Sequence, residues 1–391
     1  MSTKNNIYKP AIVVVAYNRP NSLQRLLYSL SIADYCGYNN IDLIISVDYS
    51  TSNQNVIDLA NNFKWKFGKK SVIVREKNLG LKKHVLCCGD LSSIYGSIIM
   101  LEDDLAVSPN FYNYAALCLN YYGDDAQISG ISLYKHILNV HAQLRFEPLI
   151  TSSSNFFMQF PCSWGQAWTD KQWMSFKNWI SQPFNLTKDI DIPSTVLSWS
   201  DKSWLKLFCA YMISENKFFV YPYISYSTNF NDSGSHVKYS NSNFQVNLSL
   251  IESRENSNFI SFEKCNSVYD AYFEILDCRL KRLCPHLEKY NFCVDLYGMK
   301  NIEKCDSDLV LTTNDIIKNK EIFSIERNLW PHELNLIIKD INNSKGEIKL
   351  VDKRYILKRK ATTLYFTPYL SILSIRHLIK NKIYKYLGIS K

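Results

Sequence analysis

Residues 11–30 read AIVVVAYNRPNSLQRLLYSL, and the rest of the chain can be read outward from them. Ala11 to Ala16 is an unbroken apolar run rich in β-branched valine, the pattern of a strand covered on both faces. Pro20 then stands where a first helical turn tolerates a missing N–H. Leu23, Leu26, Leu27 and Leu30 follow at i, i+3, i+4 and i+7, so one face of the helix is apolar and must lie on something. A buried strand feeding an amphipathic helix predicts one unit of a parallel sheet with helices on its faces. The alternation recurs, with strands expected at Asp42 to Val47, Ser71 to Arg75, Ser97 to Leu101 and Ile128 to Leu133.

The expected fold class is therefore α/β, a doubly wound and mostly parallel sheet, carrying a largely helical, basic C-terminal extension. We place the main domain at residues 1–250 and the extension at 251–391. Within the main domain, residues 150–240 hold six of the eight tryptophans and read as an elaboration of the sheet for a second ligand and a covering loop. In open sheets ligands collect at the carboxyl ends of strands. The residues to examine are thus Tyr17 to Pro20, Asp48 to Ser50, Asn78 to Gly80, and Glu102 to Asp104.

Composition narrows the classes. Eleven scattered cysteines form no C-x-x-C pair and no zinc spacing, which suits a reducing compartment. The run Ala11–Ala16 is too short for a signal-peptide core, and no apolar stretch approaches the ~20 residues of a membrane span. A cytoplasmic location is expected. The net charge of +9 sits in the tail: residues 345–391 carry twelve Lys and Arg against Glu347 and Asp352. That argues against a nucleic-acid face on the main domain. It leaves two readings of the tail, a peripheral contact with an anionic membrane, or a terminal helix docked with its charged face in water.

Glu102-Asp103-Asp104 closes the fourth predicted strand. Three adjacent carboxylates repel one another at the lip of a sheet unless a cation neutralises them. An all-oxygen site of this kind suits Mn²⁺ or Mg²⁺ bridging a diphosphate. The competing reading is a solvated loop whose acids cap the next helix, near Pro109.

Taken in order, Val13 to Pro20, Val47-Asp48, Glu76 to Leu81 and Leu101 to Pro109 resemble the GT-A glycosyltransferases, especially family-2-like bacterial enzymes and the animal N-acetylglucosaminyltransferase I group. The resemblance covers roughly residues 10–240. It implies a Rossmann-like sheet, a nucleotide-sugar donor with UDP as the default nucleotide, and transfer with inversion to a glycan or lipid-linked acceptor in surface polysaccharide synthesis. It places Tyr17, Arg19, Asp48, Asn78 and Gly80 around the nucleotide, Asp104 on the metal, and Glu102 and Asp103 on ribose, sugar hydroxyls or metal-bound water. Asp48 could instead cap a helix or turn.

The second half matches more loosely. Ser163-Trp164-Gly165-Gln166-Ala167-Trp168 is similar to a segment lining the family's sugar pocket, which implies substrate contacts from Trp164, Gly165 and Trp168, while Trp173 and Trp179 also suit a core. Trp199-Ser200-Asp201-Lys202-Ser203-Trp204 resembles the segment carrying the family's base, with one extra residue. It implies Asp201 as base, against a helix N-cap reading, with Asp170 in reserve. Gly234-x-His236 resembles a loop over the donor, implying Gly234 on substrate and His236 on metal or diphosphate. Two other functions stay open: a non-catalytic carbohydrate-binding protein on the same scaffold, and a sugar nucleotidyltransferase, although the Gly-rich phosphate loop of the latter is absent after the first strand.

Overall fold

The computed structural model describes residues 8–35, 37–186, 190–232, 244–250, 258–338 and 346–357. Strands β1 (Ala11–Ala16), β2 (Leu43–Val47), β3 (Lys70–Val74) and β4 (Ser97–Glu102) form where the apolar runs predict them. All four run parallel, in the order β4-β1-β2-β3. Beyond β4 the nine-stranded sheet continues through Gln166–Thr169, Ile128–Ser132, Phe218–Pro222, Asn155–Met158 and Val268–Tyr269. Gln166–Thr169 is antiparallel to both its neighbours, and Asn155–Met158 is antiparallel to Phe218–Pro222, so the sheet is mixed but mostly parallel.

Alternate residues of β1 serve two cores. Ile12, Val14 and Ala16 face helix α1 (Pro20–Ser31), whose Leu23, Leu26, Leu27 and Leu30 are all buried, as the leucine spacing requires. Val13 and Val15 face the opposite layer, where Val85 and Cys88 of helix α3 (Gly80–Gly89) and the aromatics of helices Asp170–Ile180 and Trp204–Ser214 pack. Burying a leucine stabilises by about 1.5–3 kcal/mol, so truncating any of the four would loosen α1 from the strand whose end it positions.

Chain order reverses at β1. From it the chain passes outward through α1, β2, helix α2 (Gln54–Asn62) and β3, then crosses back to β4 on the other side. Neighbouring connections therefore leave β1 and β4 in opposite directions and open a crevice at their carboxyl ends. Register sets Val15 opposite Glu102 there.

Two expectations change. Val268–Tyr269 pairs with Asn155–Met158, so the main sheet does not end near residue 250 but takes a strand from beyond it. The C-terminal extension is not largely helical over the described residues. Phe292–Asp295, Leu309–Thr312, Ile348–Asp352 and Glu321–Ile325 make a four-stranded sheet, with only short helices such as Asp277–Leu283 and Leu334–Ile338 nearby. These strands are runs of only four or five residues, FCVD, LVLT, IKLVD and EIFSI, too short to show a strand period among the surrounding lysines and asparagines. The basic segment 358–391 lies outside the described residues.

Candidate active site

A cavity of about 390 Å³ opens at the reversal point, lined by the β1 loop, the end of β4, the start of α3 and residues 229–232. Tyr17, Arg19, Asp48, Asn78, Gly80, Glu102, Asp103, Asp104 and Trp164, dispersed over almost 150 positions, all reach it.

Its acidic wall is organised by Arg19. The guanidinium pairs with Asp103 and donates to Asp104 Oδ2 at 3.0 Å, so one cation is shared between adjacent carboxylates. Burial lowers the Arg19 pKa, but Asp103 and Asp104 outweigh that and hold it above its ordinary value. Asp103 is pushed up to about 6 by burial, against the pull of Arg19. Glu102, half-buried, is pushed up to about 8 by desolvation and by the charge of Asp104. A short ribbon pairing Ser227–Asn229 with Leu105–Val107 brings a second segment to this wall. Asn229 Nδ2 lies 3.5 Å from Asp104 Oδ1, and Phe230 N–H donates to the Asp104 carbonyl at 3.0 Å. Asp232 is tied back to α1 by Arg25 and by Ser22 Oγ at 2.7 Å.

Asp48 shapes the opposite wall. Its Oδ1 accepts from Tyr49 and Leu79 N–H, both at 2.9 Å, and its Oδ2 accepts from Gly80 N–H at 3.0 Å. The Leu79 and Gly80 N–H groups are free donors at the start of α3, so Asp48 fastens that helix to the end of β2. Gly80 has φ +70°, a conformation that any side chain would strain. Asn78 reaches across to the Tyr49 carbonyl at 2.9 Å and Tyr17 Oη at 3.3 Å. One turn into α3, His84 lines the cavity floor and shares a 2.8 Å hydrogen bond with Ser46 Oγ. Burial pushes its pKa down to about 4, which leaves the ring neutral.

His84 was not singled out from the sequence, although its position four residues after Gly80, on the same helical face, carried a signal. The Ser22, Arg25 and Asp232 cluster carried none, since Asp232 stands more than 200 positions from the other two.

Several sequence expectations fall elsewhere. Asp201 does not line the cavity: its side chain is 98% exposed and paired with Lys206 at 3.1 Å, and Ser203, not Asp201, caps the helix that follows. Asp170 sits at the wrong end of the sheet. Thr169 pairs with Ser97 at the start of β4, and the Asp170 N–H is held by the Gly96 carbonyl, five residues of strand, roughly 17 Å, from Glu102. Trp168 is fully buried and stacks on Trp173 at 4.7 Å, so it belongs to the core. Gly165, at φ +93°, is buried where a Cβ would meet Ser227 Oγ at 2.9 Å, which makes it a packing position. Trp164 alone of that segment faces the cavity, braced edge-on by Tyr134 at 4.7 Å. Gly234 and His236 lie outside the described residues.

The oxygen donors of the acidic wall suit a hard divalent cation. Asp103 Oδ2 is buried and has no hydrogen-bond partner among the described residues, and the three acids face a single arginine. Oxygen donors with surplus negative charge fit such an ion. No cluster of three or more His, Cys, Asp or Glu among the described residues would enclose a metal by protein ligands alone. Any ion here would be completed by a ligand's own oxygens.

No protein-family model matches the chain, and no curated protein matches it. Solved structures similar to part of it include S. aureus TarS 1-349 in complex with UDP-GlcNAc, at 12% identity and TM-score 0.37 over 58% of this chain and 60% of that one. GalNAc-T7 with UDP, GalNAc and Mn²⁺ gives 12% and 0.37 over 55% and 41%. The mannosyltransferase PcManGT from Pyrobaculum calidifontis, with GDP-Man and Mn²⁺, gives 10% and 0.31 over 46% and 48%. In each case the chain spans less than two thirds of the solved structure's length. Among the described residues no helix is long and apolar enough to cross a membrane.

Proposed function

We propose that this chain is a metal-dependent glycosyltransferase of the GT-A type. It takes a sugar from a nucleotide-sugar donor, a UDP-sugar by default, and passes it with inversion to a glycan or lipid-linked acceptor in surface polysaccharide synthesis. The observation that carries the reading is convergence: the β1 loop, Asp48 and the acidic triplet, each selected from sequence alone, meet at the reversal point of the sheet around one cavity. At about 390 Å³ the cavity falls within the range of small-ligand sites.

Asp104 and the free Oδ2 of Asp103 would hold Mn²⁺ or Mg²⁺, which supplies charge neutralisation of a diphosphate leaving group when bound. Arg19 adds a second positive group beside the same oxygens. Asp48 keeps the start of α3 and the Asn78 amide in place, and the Trp164 ring offers an apolar face of the kind that sugar C–H surfaces prefer. Asp201 and Asp170 are not proposed as the base, for the reasons of placement given above. A peripheral position at the inner face of the cytoplasmic membrane, through residues 345–391, belongs to the same reading and rests on the charge of that segment.

The test is a panel of nucleotide-sugars assayed for binding and hydrolysis with Mn²⁺, Mg²⁺ or chelator, using the full chain and Asp104→Ala. Metal-dependent nucleotide binding that Asp104→Ala abolishes supports the proposal. Glycan binding with no nucleotide binding and no turnover would instead favour the carbohydrate-binding alternative.

A further inference from the structure

The C-terminal sheet carries a second cavity, of about 470 Å³, whose wall includes Cys293, Cys305, Lys300 and Lys304. The two sulfurs are only 2.7 Å apart, closer than ordinary thiol–thiol packing. Both are half-buried, whereas Cys88, Cys118, Cys162, Cys209, Cys265 and Cys284 are fully buried. Of the remaining described thiols, Cys87 and Cys278 are accessible but have no sulfur partner among the described residues.

The segment between them is anchored to residues outside the C-terminal sheet. Lys300 Nζ pairs with Asp270 at 2.5 Å and Lys304 Nζ with Asp191 at 3.5 Å. Lys300 puts positive charge beside both sulfurs, which favours thiolate, against the opposing charge of Asp295 and Asp191. The hydrogen bond with Cys293 holds the Cys305 thiol below its ordinary pKa.

We infer that Cys293 and Cys305 form a redox-modifiable dithiol, closed to a disulfide by exchange with a low-molecular-weight disulfide of the glutathione class. In the first step the Cys305 thiolate attacks one sulfur of the small disulfide, forming a mixed disulfide and expelling one small thiolate, which takes a proton from solvent. Cys293 then loses its proton to solvent and attacks Cys305 Sγ. The protein disulfide forms and the second small thiol leaves. Two protein thiols are oxidised and one small disulfide is reduced to two thiols. Closure staples residues 293–305 into one ring and fixes the segment that bears Lys300 and Lys304.

Trypsin cleaves after Lys289, Lys300, Lys304 and Lys318, which separates the cysteines into peptides 290–300 and 305–318. The full chain is incubated with oxidised glutathione, blocked with an alkylating agent, digested without reductant and mapped by mass spectrometry. The expected result is the two peptides joined, lighter by two hydrogens than their sum, and released by dithiothreitol. Cys278 serves as the accessible thiol control and retains a glutathionyl group. In Cys293→Ser the second step is blocked, and Cys305 is expected to accumulate the glutathionyl adduct. Recovery of Cys293 and Cys305 in separate peptides from the oxidised wild type, each alkylated or glutathionylated, overturns the inference.

Discussion

Arg19→Gln removes the cation shared by Asp103 and Asp104 while keeping most of the side-chain volume. Deleting one partner of a buried ion pair costs about 3–5 kcal/mol, because the remaining charge stays buried. Arg19 keeps 24% of its side-chain exposure, so the low end, about 3 kcal/mol, applies. With an unfolding entropy of about 2.1 cal/mol/K per residue, a chain of 391 residues responds by a fall in Tm of roughly 4 °C. The loss should depend on pH. Without Arg19, the folded-state pKa of Asp103, already about 6, rises further above its unfolded value. An acid raised in this way contributes stability that is complete below the unfolded pKa and lost as pH climbs through the folded one. The deficit of the variant is therefore small near about pH 5 and largest near about pH 8. Melting curves by circular dichroism, in chelator, across that interval measure it. Mn²⁺ at a hundredfold excess over its Kd stabilises by about 2.7 kcal/mol. It should recover more of the Tm in the variant than in wild type, since ion and guanidinium neutralise the same two carboxylates and the variant has lost one of the two. Equal Tm values near about pH 8, or a deficit constant across pH, would refute this account of the acidic wall.

Further outcomes follow from the same geometry. Asp48→Asn replaces an acceptor of three backbone N–H groups by a weaker one that also presents an unwanted donor, and should cost about 1–3 kcal/mol in urea unfolding and loosen α3. Wild type should lose stability as pH rises from about 4.5 to about 8 in chelator, because folding raises the Glu102 pKa; Glu102→Gln should flatten that part of the profile. Asp201→Asn should leave Tm, nucleotide affinity and turnover within about twofold of wild type, since exposed ion pairs contribute about 0–1 kcal/mol and this carboxylate lies outside the cavity. Trp164→Ala should weaken nucleotide-sugar binding more than nucleotide binding, read by comparing UDP-sugar with UDP in calorimetry.

What the linear order determined is what depends on short-range pattern. The valine run of β1, the four leucines of α1 and the abrupt change from apolar strand to three acids at Glu102 are each complete within a dozen residues, and each forms where it was read. Because parallel strands gather their carboxyl ends on one edge, the candidate wall could be named before any distance was known. Orientation beyond that edge was not legible. Asp170 and Trp168 lie on and beside a strand that runs antiparallel to β4, which carries Asp170 to the far end of the sheet and turns Trp168 into the core, and nothing in their local pattern states that direction. Asp201 sits beside a helix start that Ser203 caps, a choice settled by which side chain reaches Lys206 N–H. Arg19 bridging Asp103 and Asp104, Asp232 returning to α1, and Cys293 meeting Cys305 all join residues separated in sequence. Such pairings are set by the packing of whole layers, since side-chain charge and reach allow many partners and only the folded chain brings one of them within bonding distance.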